Sequence, residues 1–178
     1  MGMKLIDSAT VTGTSTYYVT FSNIPQTYKD LYISITARNS RSDAMWGYCY
    51  LTFNSETINA GTNQFTRKGS YIANNGGQSY ESTSLAAIGW GMCTDYQSTN
   101  TFGITQVHIL DYTNTSNKKC MRIYDGSSNA NSTASETSGN SWGSMHWGDT
   151  SAISTIKVSC PSDKYLKADT VVRLYGIE

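Results

Sequence analysis

The chain has 178 residues, with thirteen Lys+Arg balancing thirteen Asp+Glu, and only 15% of its residues are charged, against about 25% in an average soluble domain. Ser, Thr and Asn together fill 60 positions, so hydroxyls and amides replace ions as the solubilising groups. No basic excess exists to neutralise phosphates, no run of about 18 apolar residues exists to span a membrane, and thirteen Tyr with four Trp argue for a packed core over disorder.

The length suits one domain, residues 1–178. The opening Met1-Gly2-Met3-Lys4-Leu5-Ile6-Asp7-Ser8 lacks an apolar stretch followed by a small-residue cleavage site, so no signal peptide is expected. The first strands are expected over Lys4–Val11 and Tyr17–Phe21, separated by the turn cluster Thr12-Gly13-Thr14-Ser15. Leu31, Ile33, Ile35 and Ala37 then alternate with Tyr32, Ser34, Thr36 and Arg38. This period of two places one set in a core and the other outward.

Further strands are expected over Gly47–Phe53, Gln64–Tyr71, Ser84–Gly91, Lys119–Tyr124 and Ser141–Trp147, all rich in residues that fit a pleated surface. Alternation also marks Thr105, Val107 and Ile109, then Ile156, Val158 and Cys160, then Val172 and Leu174. Asn74–Gly77, Asn114–Asn117 and Asp125–Asn129 read as turns, because Gly and Asn tolerate positive φ. The one short helical candidate is Asp163–Leu166. Residues 127–140, nearly all small and polar, read as a long exposed loop. About ten short strands with regular turns give an all-β fold, expected as a two-sheet β-sandwich of jelly-roll type.

The four cysteines, Cys49, Cys93, Cys120 and Cys160, show no metal-ligand spacing. Cys49 and Cys120 lie in alternating apolar stretches and are expected as buried small hydrophobes in a chain made in a reducing cytoplasm. His108 is expected on an outer strand face. His146 lies near Asp149, but no nucleophile elbow accompanies it. The carboxylates Asp43, Glu56, Glu81, Asp95, Asp111, Glu136 and Asp149 fall mostly in polar turns. No catalytic residue, metal site or cofactor is expected.

The aromatic set carries more information. Trp46, Trp90, Trp142 and Trp147 each stand next to glycine, a pattern of bulges and close backbone approaches. Together with His146 they are the candidate contacts for a protein interface or a glycan, the competing role being to fill the core.

Ile24-Pro25-Gln26-Thr27-Tyr28-Lys29-Asp30-Leu31 resembles a run found in virion proteins of marine and cyanobacterial bacteriophages. Leu51-Thr52-Phe53-Asn54, Asn100-Thr101-Phe102-Gly103 and the closing Leu174-Tyr175-Gly176-Ile177 are similar to further motifs of those proteins. The resemblance implies a non-enzymatic β-sandwich component of the virion surface, assembled in the host cytoplasm. It implies an outer capsid decoration protein, of cement or head-fibre type, or else a tail-fibre or receptor-binding module. Expected partners are the major capsid protein or tail components, two further copies in a homotrimer, and a host-surface glycan; neither nucleic acid nor membrane is expected.

Overall fold

The computed structural model describes residues 2–44, 47–56, 65–73, 76–83, 87–127, 139–161 and 163–178. Twelve strands follow in chain order: β1 (Met3–Thr10), β2 (Tyr18–Phe21), β3 (Asp30–Asn39), β4 (Gly47–Phe53), β5 (Phe65–Ala73), β6 (Gly76–Thr83), β7 (Ala87–Thr94), β8 (Gly103–Ile109), β9 (Lys119–Ser127), β10 (Gly139–Trp147), β11 (Ile156–Ser159) and β12 (Val171–Ile177). Over β5 and β6, and at Ala87, Trp90 and Gly139, the description is of backbone pairing. The protein is all-β, with no helix among the described residues.

The strands form a mixed sheet of two antiparallel runs. One run has the order β1-β12-β3-β8-β9-β10-β5-β6 and the other β2-β11-β4-β7. A single parallel step joins them, where Arg38 and Asn39 of β3 lie beside Cys93 and Thr94 of β7. Side chains from both runs share one buried cluster: Leu31, Ile33 and Ile35 of β3 and Val172 and Leu174 of β12 meet Leu51 and Phe53 of β4 and Ile156 and Val158 of β11. The period-two expectation for β3 and β12 is met, because one face of each strand is fully covered while the other is partly open.

Glycine lets β7 approach its neighbours closely. A Cβ on Gly89 would occupy the site of the Asp125 carboxylate, and one on Gly91 would strike Thr105 and the Ile104 carbonyl. Asp125 itself is buried and accepts a hydrogen bond from the Ser141 hydroxyl. The glycines flanking Trp90 therefore mark a close backbone approach, as their pattern predicts.

The segments Ile24–Leu31, Leu51–Asn54 and Leu174–Ile177 are joints of this architecture. Gln26 donates from Nε2 to the Ile24 carbonyl at 2.9 Å and to the Ile153 carbonyl at 3.0 Å. The Tyr112 hydroxyl donates to the Pro25 carbonyl. Gly176 is required because the Tyr28 ring fills the space a Cβ would take. Asn54, at φ 52°, donates to the Ala152 carbonyl at 3.1 Å and accepts from the Ser154 amide at 3.0 Å. All five non-glycine residues with positive φ among those described are Asn or Asp, the residues that tolerate the left-handed region.

Buried Arg38 organises the loop that follows β7. Its guanidinium donates to the Asp95 carboxylate at 3.2 Å and to the Gln97, Ser98 and Thr101 carbonyls at 3.0, 2.8 and 3.1 Å. Lys167 holds the other Asp95 oxygen at 3.0 Å.

Several expectations are corrected. Asp163–Leu166 is not a helix: Lys164 closes a turn onto the Pro161 carbonyl, and Leu166 bridges Thr16 and Asn39. The backbone bonds that a helix would need are spent on those bridges. Of the expected turn Asn74–Gly77, Gly76 and Gly77 begin strand β6, while Asn74 and Asn75 lie outside the described residues. Of the expected turn Asp125–Asn129, Asp125, Gly126 and Ser127 end strand β9, and Asn140 belongs to β10. The interior of the expected long loop, residues 128–138, lies outside the described residues. Cys120 is exposed, whereas Cys49, Cys93 and Cys160 are buried. In β9 it is Met121 and Ile123 that face the core, so Cys120 takes the outward parity.

Candidate functional site on the outer sheet face

Strands β8, β9 and β10 are adjacent and antiparallel, and each buries one face. Val107 and Ile109, then Met121 and Ile123, then Met145 and Trp147 point inward. The opposite parity presents Ile104, Gln106 and His108 on β8, Cys120, Arg122 and Tyr124 on β9, and Trp142, Ser144 and His146 on β10. Register brings them into rows. Tyr124 is directly opposite Gln106 on one side and Trp142 on the other. Arg122 is opposite His108 and Ser144, and Cys120 is opposite His146. Directly opposed side chains have Cβ atoms roughly 4.5–5.5 Å apart.

Three large apolar side chains here stay in water: Ile104 is 43% exposed, Tyr124 57% and Trp142 45%. Neither the Tyr124 nor the Trp142 ring packs against another ring among the described residues, so both present open faces. Arg122 is exposed and makes no ion pair among the described residues. The charge of this face is one-sided. Exposed outward positions of β3, β8, β9, β10 and β12 carry two guanidiniums, Arg122 and Arg173, beside the imidazoles of His108 and His146. The one outward carboxylate among the described residues of these strands, Asp30, is buried and accepts from His108 Nε2–H at 3.1 Å and from the Asp111 amide at 2.8 Å.

The aromatic candidates thus divide. Trp142 and His146 share the outer face. Trp147 is 1% exposed and is a core residue: its ring lies 5.1 Å from that of Phe53, and its Nε1–H donates to Glu56 at 2.8 Å. As a contact residue it is corrected, because neither face of its ring is open. Trp90 contributes backbone to β7, while its side chain and all of Trp46 lie outside the described residues. Tyr124, Arg122 and Ile104 complete the face and were not singled out from sequence. Their signal was the parity of Cys120-Met121-Arg122-Ile123-Tyr124, in which the apolar pair fixes the core side.

At the end of the sheet next to Trp147, burial raises the Glu56 carboxyl above its ordinary range, and the nearby Asp149 charge adds to this. Asp149 itself is held low by the Ser151 backbone amide, which donates to it at 2.7 Å. Asp43 pairs with Arg41 at 2.9 Å, and Asp95 with Arg38 and Lys167. Glu136 and the Glu81 side chain lie outside the described residues. Among the described residues no three His, Cys, Asp or Glu side chains converge as metal ligands, and no helix is long and apolar enough to cross a membrane.

This geometry defines an all-β protein with an open aromatic and cationic sheet face. No family model, curated protein or solved structure matches the chain.

Proposed function

We propose that this chain is a non-enzymatic structural protein of a bacteriophage virion, an outer capsid decoration protein of cement or head-fibre type. It assembles in the host cytoplasm, docks on the major capsid protein as a homotrimer and stabilises the particle without covalent chemistry. Its two antiparallel runs pack face to face as a jelly-roll-like sandwich, with the shared buried cluster between them. The observation that carries the reading is the patch of Ile104, Tyr124 and Trp142, three large apolar side chains 43–57% exposed on adjacent strands, with Tyr124 opposite Trp142 and Ile104 diagonal to Tyr124. Contiguous exposed apolar groups mark interaction sites, and Tyr and Trp are the preferred anchors of interfaces. A surface with little net charge also lets identical copies approach without repulsion.

The test is sedimentation of the purified protein together with its binding to capsid shells assembled without it. The reading expects a trimer that binds shells and loses binding on Trp142→Ala. A monomer at high concentration that ignores shells overturns it.

A second reading, a glycan- or receptor-binding module of capsid or tail, is favoured by one feature: the Tyr124 and Trp142 rings are open and bordered by Gln106, Arg122 and Ser144. Such rings stack on sugars while the polar neighbours accept and donate hydrogen bonds. A glycan array without hits removes it.

A further inference from the structure

We propose that the outer face of β8, β9 and β10 binds an acidic polysaccharide, with Tyr124 and Trp142 stacking on successive pyranose rings and Arg122 pairing with a uronate carboxylate. This rests on the glycan-binding reading and names its ligand class. Three observations converge on it.

The first is the platform. Tyr124 and Trp142 are direct cross-strand partners on a sheet face, so their rings rise from a surface whose own backbone hydrogen bonds are satisfied. Neither ring is occupied by another ring among the described residues. An extended chain of flat sugars fits such a row, because the apolar C–H faces of a pyranose match an aromatic face while its hydroxyls point sideways. Gln106 on one side of Tyr124 and Ser144 beside Trp142 stand where those hydroxyls would reach.

The second is the charge. Arg122 is two residues from Tyr124 on the same strand face, roughly 6.7 Å along the strand, a spacing one sugar with its carboxylate can bridge. A guanidinium presents a planar fork that takes a carboxylate in two parallel hydrogen bonds, and Arg122 has no such partner among the described residues. Arg173 of β12 adds a second cation further along the same face, and Asp30 of β3, the one outward carboxylate among the described residues of β3, β8, β9, β10 and β12, is buried and bound. A chain with no net charge therefore turns a cationic face toward its ligand, which selects an anionic sugar over a neutral one.

The third concerns the competing anions. A nucleic acid asks for a track of Lys and Arg along the phosphates, which the face lacks among the described residues. An acidic peptide could pair with Arg122 but would leave two adjacent open rings without a matching flat surface. The acidic peptide therefore becomes an outcome of the test.

The experiment measures binding of the full chain to polygalacturonate, to neutral dextran and to polyglutamate by calorimetry, at low salt and at 0.5 M NaCl. The expected result is binding to polygalacturonate alone, weakened by salt. Arg122→Gln and Trp142→Ala should each lower the affinity by about tenfold or more, and Tyr18→Ala, an exposed tyrosine on β2, should leave it unchanged. All three sites are exposed, and matching melting curves would confirm that each variant folds. If dextran binds as well as polygalacturonate and Arg122→Gln changes nothing, the acidic class is overturned while glycan binding stands. If no polysaccharide binds, both fail. Equal binding of polyglutamate overturns the proposal in favour of plain anion exchange. Self-association that Trp142→Ala abolishes, without any sugar binding, assigns the face to a second copy.

Discussion

Replacing Lys119 by methionine removes one ammonium and little volume, and the structure gives a magnitude for the result. Lys119 starts β9 and is almost fully buried, yet no carboxylate pairs with it among the described residues. Its Nζ donates instead to three backbone carbonyls, those of Asn114, of Asn117 at 2.9 Å and of Thr150 at 2.9 Å. It also stands 5.9 Å from the centre of the Trp147 ring. The ammonium thus pins the β8–β9 turn to the segment that follows β10. Each carbonyl left without a donor costs about 1 kcal/mol where water can partly replace it and up to about 3 where it cannot. Burial already lowers the pKa of Lys119, so removing the charge returns part of that cost. The net loss expected is about 2–4 kcal/mol, a fall in melting temperature of roughly 5–15 °C for a chain of this length. Urea and thermal melts of wild type, Lys119→Met and Lys119→Arg measure it, with the arginine variant expected to recover part of the loss. A methionine variant within about 0.5 kcal/mol of wild type, the range of ordinary surface substitutions, would refute the cage as a structural device.

Three further substitutions and titrations probe the same packing. Gly176→Ala drives a methyl into the Tyr28 ring and should cost about 1–3 kcal/mol; adding Tyr28→Ala should make the pair less than additive in a double-mutant cycle, and full additivity would sink the contact. Native protein at pH 8 should react quickly at one thiol, Cys120, because Cys49 and Cys93 are buried and burial pushes the Cys160 thiol up to about 12; a Cys120 that reacts only on unfolding would contradict the strand parity of β9. Glu56 keeps its proton to higher pH in the fold than in the unfolded chain, so its contribution to stability falls as pH rises through that window. Glu56→Gln retains an acceptor for Trp147 Nε1–H and should match wild type near pH 4 but exceed it near pH 7, as read by urea melts; an equal deficit at both pH values would refute the sign.

The β3 and β12 strands were legible because Leu31, Ile33, Ile35, Val172 and Leu174 alternate with polar residues, and only one register buries them all. Strand β6 was not, since Gly76–Thr83 carries almost no apolar alternation and is held by backbone pairing to β5. Trp142 and Trp147 look alike in sequence, each preceding glycine. They are five residues apart on one strand, so they must point to opposite faces. Which of the two faces the core depends on Met145 and on the pairing of β10 with β9, and that is tertiary information. The same holds for Cys120 and Arg122, whose side of the sheet follows from Met121 and Ile123. The residues of the motifs Ile24–Leu31, Leu51–Asn54 and Leu174–Ile177 show the same limit. Their partners, such as Tyr28 against Gly176 or Asn54 against the 152–155 segment, lie more than ninety positions away, and no local pattern announces them.

The central claim is that this chain is a surface component of a phage particle. Electron microscopy of intact virions labelled with a gold-conjugated antibody to the protein tests it most directly. A capsid decoration protein gives label distributed over the capsid exterior, and that label is lost when Trp142→Ala replaces the wild-type chain. Purified particles that carry no label on capsid or tail, from a host that expresses the protein, would contradict it.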